Sequence, residues 1–427
     1  MFIKNFDKLA TTPQRKIVLE IVEEALSSIQ TENVLNKNFT VLNNKLSIKD
    51  KIFDLSNFQR VFLIGFGKGS AKNSKFIEDK LGQYLSEGYV IDTNPEDFKK
   101  IKFTQGTHPL PSAQNVEFTD NVINRFKTFN LTEKDLVLVV VCGGGSAMFV
   151  HPYKISLDEK IKVGKALLES GTDIIEMNTI RQHLSTVKGG SLAEILYPAH
   201  IASVIFSDVP GNNLSYIASG PTVKNDTSID DAINLLKKYN LMDKLGLTRE
   251  DFSENPKEDK YFEKVSNILI LSNQTALDAM KKKAEEFGIN TLIYSDKFQG
   301  EAKITGQELI QKTAPNSILL VGGETTVKVT GNGQGGRNQE VVLGALSYLD
   351  EKTIIASFDS DGWDNSKFAG AIGDSETVRK IKELNLNSEE FLRENNSLAF
   401  FEKVGDAIVT GRLPSNVSDL IIVYKYL

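Results

Sequence analysis

The sequence predicts an α/β protein of two domains, each a largely parallel sheet flanked by helices. Three observations lead there. Short apolar runs rich in β-branched residues recur along the 427 residues, each stopped by Gly, Asp or Ser, the pattern of strands buried on both faces. Amphipathic segments lie between these runs, and strand–helix alternation builds parallel sheets. The length suits two or three domains.

In chain order, strands are expected at Val61–Gly65, Gly88–Asp92, Leu136–Cys142 and Ile201–Phe206. The helices between them are Ser70 to Leu85, Ala113 to Phe129, Ser156 to Ser170 and Gly189 to Leu196. A second set of strands starts at Asn267–Leu271 and continues with Thr291–Tyr294, Ser317–Val321, Thr353–Ser357 and Leu420–Tyr424. Its helices are Asn273–Phe287, Ala302–Thr313, Asn338–Leu349 and Ser375–Glu383. The polar stretch from Met242 to Lys264 separates the sets and reads as a domain boundary, or else as a long surface insertion.

Composition narrows the function. Hydrophobic residues make up 40% and charged residues 25%, as in an ordinary globular protein. With 50 Lys+Arg against 56 Asp+Glu the formal charge is −6, the wrong sign for binding a phosphate backbone, so no nucleic-acid partner is expected. A single cysteine, Cys142, can form neither an internal disulfide nor a cysteine zinc site, which fits a cytoplasmic setting. His108, His151, His183 and His200 lack metal-ligand spacing. Met1 to Leu9 does not read as a signal peptide, and the longest apolar run, Leu136–Cys142, is too short for a bilayer, so no membrane partner is expected.

Several strand ends carry chemistry. The first strand enters Gly65-Phe66-Gly67-Lys68-Gly69-Ser70-Ala71, a glycine-rich turn whose N–H groups suit an anion. It resembles a dinucleotide fingerprint, but Ser70 stands where a third glycine is expected and Asp92 lies too far along for a ribose ligand. Lys68 reads either as a ligand-facing cation or as a solvated turn lysine. Cys142-Gly143-Gly144-Gly145-Ser146-Ala147 reads as an anion nest or a structural turn. Asn178 and Arg181 share a helix face, Ser185 and Lys188 continue it, and no acid balances the cations. That fits an anionic substrate, with a solvated helix face as the alternative; His183 is expected to be structural. Asp208, just past a strand end, could hold Mg²⁺, act as a base or cap a turn. In the second half Glu324 and Thr325 end a strand, and Gly331, Gly333, Gly335 and Gly336 precede Arg337-Asn338-Gln339-Glu340. A cation in the first turn of a helix opposes the dipole, so an anionic ligand is the expected reason for Arg337. Asp361 lies at a further strand end beside Trp363, whose expected role is packing.

Read together, GFGKGSA (65–71), THPLP (107–111), CGGGSA (142–147), NTIRQHLSTVKGG (178–190), SDVPG (207–211), SGPT (219–222) and GGETTVKVTGNGQGGRNQE (322–340) resemble the glycerate 2-kinases. That family phosphorylates D-glycerate at O2 with ATP and has often been called hydroxypyruvate reductase. The resemblance implies a Rossmann-like glycerate kinase domain over 1–245, a polar linker or insertion over 246–264 and a MOFRL-like α/β domain over 265–427, with the active site in an interdomain cleft. It implies Lys68 and Arg337 as catalytic residues, with Asp208 as the candidate base. The phosphate- and substrate-binding set is Gly67, Gly143, Gly144, Gly145, Ser146, Asn178, Arg181, Lys188, Glu324, Thr325, Gly335, Gly336, Asn338 and Glu340. Asp208 and Asp361 are the candidate ligands for Mg²⁺. The partners implied are D-glycerate and ATP, and a homodimer stays open. The alternatives are an NAD(P)-dependent hydroxypyruvate reductase and a non-catalytic sensor of small acids.

Overall fold

The computed structural model describes residues 1–209 and 211–427; Pro210, inside the SDVPG string, lies outside the described residues. In chain order its strands are β1 (Phe39–Leu42), β2 (Lys45–Ile48), β3 (Lys51–Asp54), β4 (Arg60–Phe66), β5 (Leu85–Asp92), β6 (Ile101–Gln105), β7 (Asp135–Val141), β8 (His200–Phe206), β9 (Val265–Leu271), β10 (Asn290–Phe298), β11 (Ser317–Gly323), β12 (Thr353–Asp359), β13 (Gly370–Gly373), β14 (Ala407–Ile408) and β15 (Asp419–Lys425). The chain divides into two compact units.

One unit comprises Leu35–Ser207 and Asn212–Ile270. Its main sheet has the order β6-β5-β4-β7-β8-β9, parallel at each pairing from β6 to β8. Every residue of β7 is buried, so its unbroken apolar run reflects helices on both faces of the sheet. An antiparallel meander, β1-β2-β3, precedes it. The helices Leu157–Glu169, Ile174–His183 and Ile229–Lys238 form a side cluster that buries Val163, Leu167, Met177, Ile180, Ile233 and Leu236.

The expected boundary at 246–264 falls inside this unit. Phe252 and Asn255 are buried there, and the Asn255 amide donates to the Gln182 and Lys188 carbonyls. The charged surface residues around them conceal two anchors. Strand β9, expected to open the second domain, instead lies beside β8 at the edge of the first sheet.

The other unit comprises Met1–Val34, Asp208–Gly211 and Leu271–Leu427. Its sheet, β10-β11-β15-β12-β13-β14, is parallel only between β10 and β11. This corrects the expectation of a largely parallel second sheet. The last strand, β15, inserts between β11 and β12 and runs antiparallel to both. An all-apolar strand reads the same in either direction, so periodicity could not reveal this. Among the described residues no helix is long and apolar enough to cross a membrane.

The N-terminal segment joins this second unit through backbone bonds, such as Lys4 N–H to the Val409 carbonyl, and through one buried arginine. The helix Pro13–Ser28 starts with Pro at its first turn and Thr12 as cap, a regular beginning. Arg15, with no exposed surface, binds Asp374 through Nε at 2.7 Å and Asp406 through Nη1 at 2.9 Å. Thr377 and Lys380 complete the network around the same carboxylates. Removing one partner of a buried pair strands the others. Arg15→Met should therefore cost about 3–5 kcal/mol, read as a lowered denaturation midpoint at unchanged slope; a loss below about 1 kcal/mol would mean the network contributes no more than a surface pair.

Candidate active site

In the first unit the glycine strings converge. The Lys68 backbone N–H donates to the Gly143 carbonyl at 2.8 Å, tying the GFGKGS turn to the CGGGS turn. The Lys68 side chain is exposed and has no hydrogen bond or ion pair among the described residues. The helix Ser70–Leu81 begins just after, and the Ala71 N–H donates to Asp92 Oδ2 at 2.9 Å. Asp92 is 1% exposed. It caps this helix, so the position a dinucleotide site would need for ribose is already occupied by a structural role. Gly144 has φ +74°, and an added Cβ would lie 2.6 Å from the His108 ring. Only glycine meets both demands.

A polar network continues from this turn. Ser146 Oγ and Ser219 Oγ are 3.0 Å apart, and Ser219 donates to Asn178 Oδ1 at 2.7 Å. Ala218 and Ser219 hold φ of +51° and +62°, left-handed values that cost energy outside glycine and concentrate at functional sites. Lys188 is 2% exposed and, among the described residues, reaches only the Phe149 and Ala218 carbonyls, at 3.4 and 3.3 Å. Burial, then the charges of Lys160 and Arg181, push its pKa well down. Burial lowers Arg181 as well. Arg181 and Lys188 have no carboxylate partner among the described residues, and Lys160 and Ser219 lie in the same region. His183 is structural, bonding to the Ser253 carbonyl and the Thr227 hydroxyl.

The remaining candidates lie in the second unit, around a cavity of about 1030 Å³. Glu324, Thr325, Gly335, Gly336, Arg337 and Glu340 line it. Arg337 lies in the first turn of the helix Arg337–Ala345. Its Nε donates to Asp419 at 2.6 Å, Nη1 to Glu324 at 2.8 Å and Nη2 to Asp359 at 3.4 Å. Three carboxylates, rather than a ligand, therefore account for the cation at this helix end. The helix amides are also satisfied within the chain: the Asn338 and Gln339 N–H groups donate to Asp364 at 3.0 and 2.9 Å. Gly336 is required because a Cβ would collide with Asp364.

Asp359 and Asp419 are direct neighbours in register across β12 and β15, 6% and 2% exposed. Asn338 donates to Asp419 Oδ1 at 2.7 Å and accepts from Ser357. Burial, then the charges of Asp419 and Asp361, push Asp359 up to about 9. Burial pushes Asp419 up to about 6 against the pull of Arg337. Burial likewise raises Glu340, which accepts from the Asn395 amide. Sequence reading missed Asp359, Asp364 and Asp419, because their partners stand 22, 26 and 82 residues away. Asp361 is half-buried and accepts from the Trp363 N–H. Trp363 is 38% exposed at the cavity with the Arg412 guanidinium 4.1 Å from its ring centre, so it is not a core residue as expected. Asp208 belongs to this unit; its carbonyl accepts from Ser418 Oγ at 2.8 Å.

Residues 17–249 match a family model described as a domain of unknown function, DUF4147, and residues 317–419 match the MOFRL family. A protein of Picrophilus torridus called glycerate 2-kinase is 36% identical over 99% of both chains. A solved glycerate kinase from Thermotoga maritima superposes with a TM-score of 0.83 at 30% identity, covering 96% of this chain and 99% of that one. A solved Pyrococcus horikoshii protein gives 0.86 at 32%, covering 97% and 99%. Fold and motifs thus define a DUF4147–MOFRL protein. The chain belongs to the glycerate 2-kinase family.

The acidic pair makes a pH prediction. An unfolded Asp loses its proton near pH 4, whereas folded Asp359 keeps its proton to about 9. In that window the folded state binds more protons, so this residue's contribution falls as pH rises. Asp359→Asn should therefore gain stability relative to the unaltered protein between about pH 5 and about pH 9, measured as the difference in melting midpoint; a difference independent of pH would contradict the assignment.

Proposed function

We propose that this protein transfers the γ-phosphoryl group of ATP to the 2-hydroxyl of D-glycerate, giving 2-phospho-D-glycerate and ADP. Membership of the glycerate 2-kinase family over essentially the whole chain carries the reading. The local chemistry is compatible with it. Phosphoryl transfer needs positioning and charge stabilisation more than covalent help. Lys68, exposed at a glycine turn and without an ion-pair partner among the described residues, supplies mobile positive charge for the transferred group. Arg337, fixed by its carboxylates, leaves about 30% of its side chain open and presents its remaining N–H capacity to the cavity.

The acceptor O2–H must lose its proton as the oxygen bonds to phosphorus and ADP departs. Asp208 is the candidate base. Asp359 is protonated at neutral pH and cannot take that role. ATP is used with Mg²⁺, which such sites hold through one or two carboxylates and water. Asp208 and Asp361 are the residues that would hold it. Bound there, the ion would neutralise phosphate oxygens. A reductase reading needs a free acidic ribose ligand; Asp92 is committed to capping.

Two measurements test this. Proton-coupled phosphorus NMR of the product should show a doublet, since the carbon bearing O2 carries one hydrogen; a triplet would place the phosphate on the terminal CH₂–O instead. Lys68→Ala should lower kcat by roughly 30- to 1,000-fold, the loss of a charge contact worth about 2–4 kcal/mol. Its melting curve should be unchanged, because the side chain is exposed. Normal kcat would return Lys68 to a solvated turn residue.

A further inference from the structure

We propose that Lys160, Arg181 and Lys188 form one pocket that receives the carboxylate of the acceptor acid, Lys160 and Arg181 half-buried and Lys188 buried. The proposal rests on the kinase reading above and names the substrate-binding residues of that site.

Lys160 sits on the helix Leu157–Glu169, three and seven residues before Val163 and Leu167. It thus shares the helix face that is buried. Arg181, on Ile174–His183, lies four residues after Met177 and three before Leu184. These four apolar residues belong to one core cluster, so the faces that carry Lys160 and Arg181 pack together. Lys188 lies beside them: both cations act on it, and Lys160 feels Arg181. Burial, then Arg181, lowers Lys160 to about 8.

Three cations here have no carboxylate partner among the described residues, and Lys188 is 2% exposed with only two long carbonyl contacts. A structural cation this buried is ordinarily paired. Holding three like charges together unpaired costs stability that an incoming anion recovers. One of the two carbonyls that accept from Lys188 belongs to Ala218. The next residue, Ser219, bonds to Ser146 and Asn178. Cations and hydroxyl partners at one place match a small hydroxy acid.

The test is kinetic, with Lys160→Met and Lys160→Arg in the full chain. Lys160→Met should raise KM for D-glycerate about tenfold or more, the loss of one charge-assisted contact, with KM for ATP essentially unchanged. Lys160→Arg should restore most of it. D-Lactate, which keeps the carboxylate, should compete with D-glycerate, and glycerol, which keeps the hydroxyls alone, should not. Unchanged KM for D-glycerate, or competition by glycerol as strong as by D-lactate, overturns the proposal. A rise confined to ATP also overturns it and assigns the cluster to nucleotide phosphate. Should Lys160→Met lose its melting transition, Lys160→Gln is read in the same way. Absence of any D-glycerate-dependent ADP release by the unaltered protein sinks the kinase reading instead. In that event calorimetric binding of D-glycerate to the unaltered protein and to Lys160→Met decides the pocket separately, equal binding or none overturning it.

Discussion

The Arg337 guanidinium is the constraint on which the second unit's cavity depends. Asp359 and Asp419 are placed side by side by the pairing of β12 with β15, and two buried carboxylates in that position repel each other and lack water. One arginine, bonded to both and to Glu324, makes the arrangement tenable. It does so incompletely, since both acids stay well above the ordinary carboxylate range. Asp364 then caps the helix that carries Arg337. The glycines before that helix are needed for close packing, since an added Cβ at Gly331, Gly333, Gly335 or Gly336 would collide with its neighbours.

Two buried clusters carry charge of opposite sign. Among the described residues, Lys160, Arg181 and Lys188 lack an acid, whereas around Arg337 three acidic side chains outnumber one cation. Folding alone would favour pairing charges within each unit. Leaving each imbalance in place makes sense when ligands of matching sign complete it: an acid's carboxylate for the first, a cation for the second. Lys68, exposed and unpaired among the described residues, fits the same logic: a cation proposed to act on a transferred group is left without a resident partner.

Much of this was legible in the sequence. The runs at Val61, Gly88, Leu136 and Ile201 became β4, β5, β7 and β8 because a strand buried on both faces must be continuously apolar. Strand direction and sheet membership were not legible: β15 is as apolar as a parallel strand, and β9 differs from its neighbours in nothing local. The short strands β13 and β14 carry too few residues for any period. The glycine strings, Asn178, Arg181, Lys188 and Arg337 declared themselves through residue types that serve packing poorly. Asp419 and Asp359 did not, since an aspartate at a strand end is ordinary until its neighbour is known. Lys160 looked like any lysine on an amphipathic helix; only burial without a counter-charge distinguishes it.

The central claim is that the chain works on phosphoryl groups and not on hydride. Its most direct test sets two initial rates side by side on the same preparation: ADP release from ATP and Mg²⁺ with D-glycerate, and NADH or NADPH oxidation with hydroxypyruvate. The account predicts ADP release that depends on D-glycerate and no oxidation above the rate without protein. Oxidation that depends on hydroxypyruvate, with no ADP released, would contradict it.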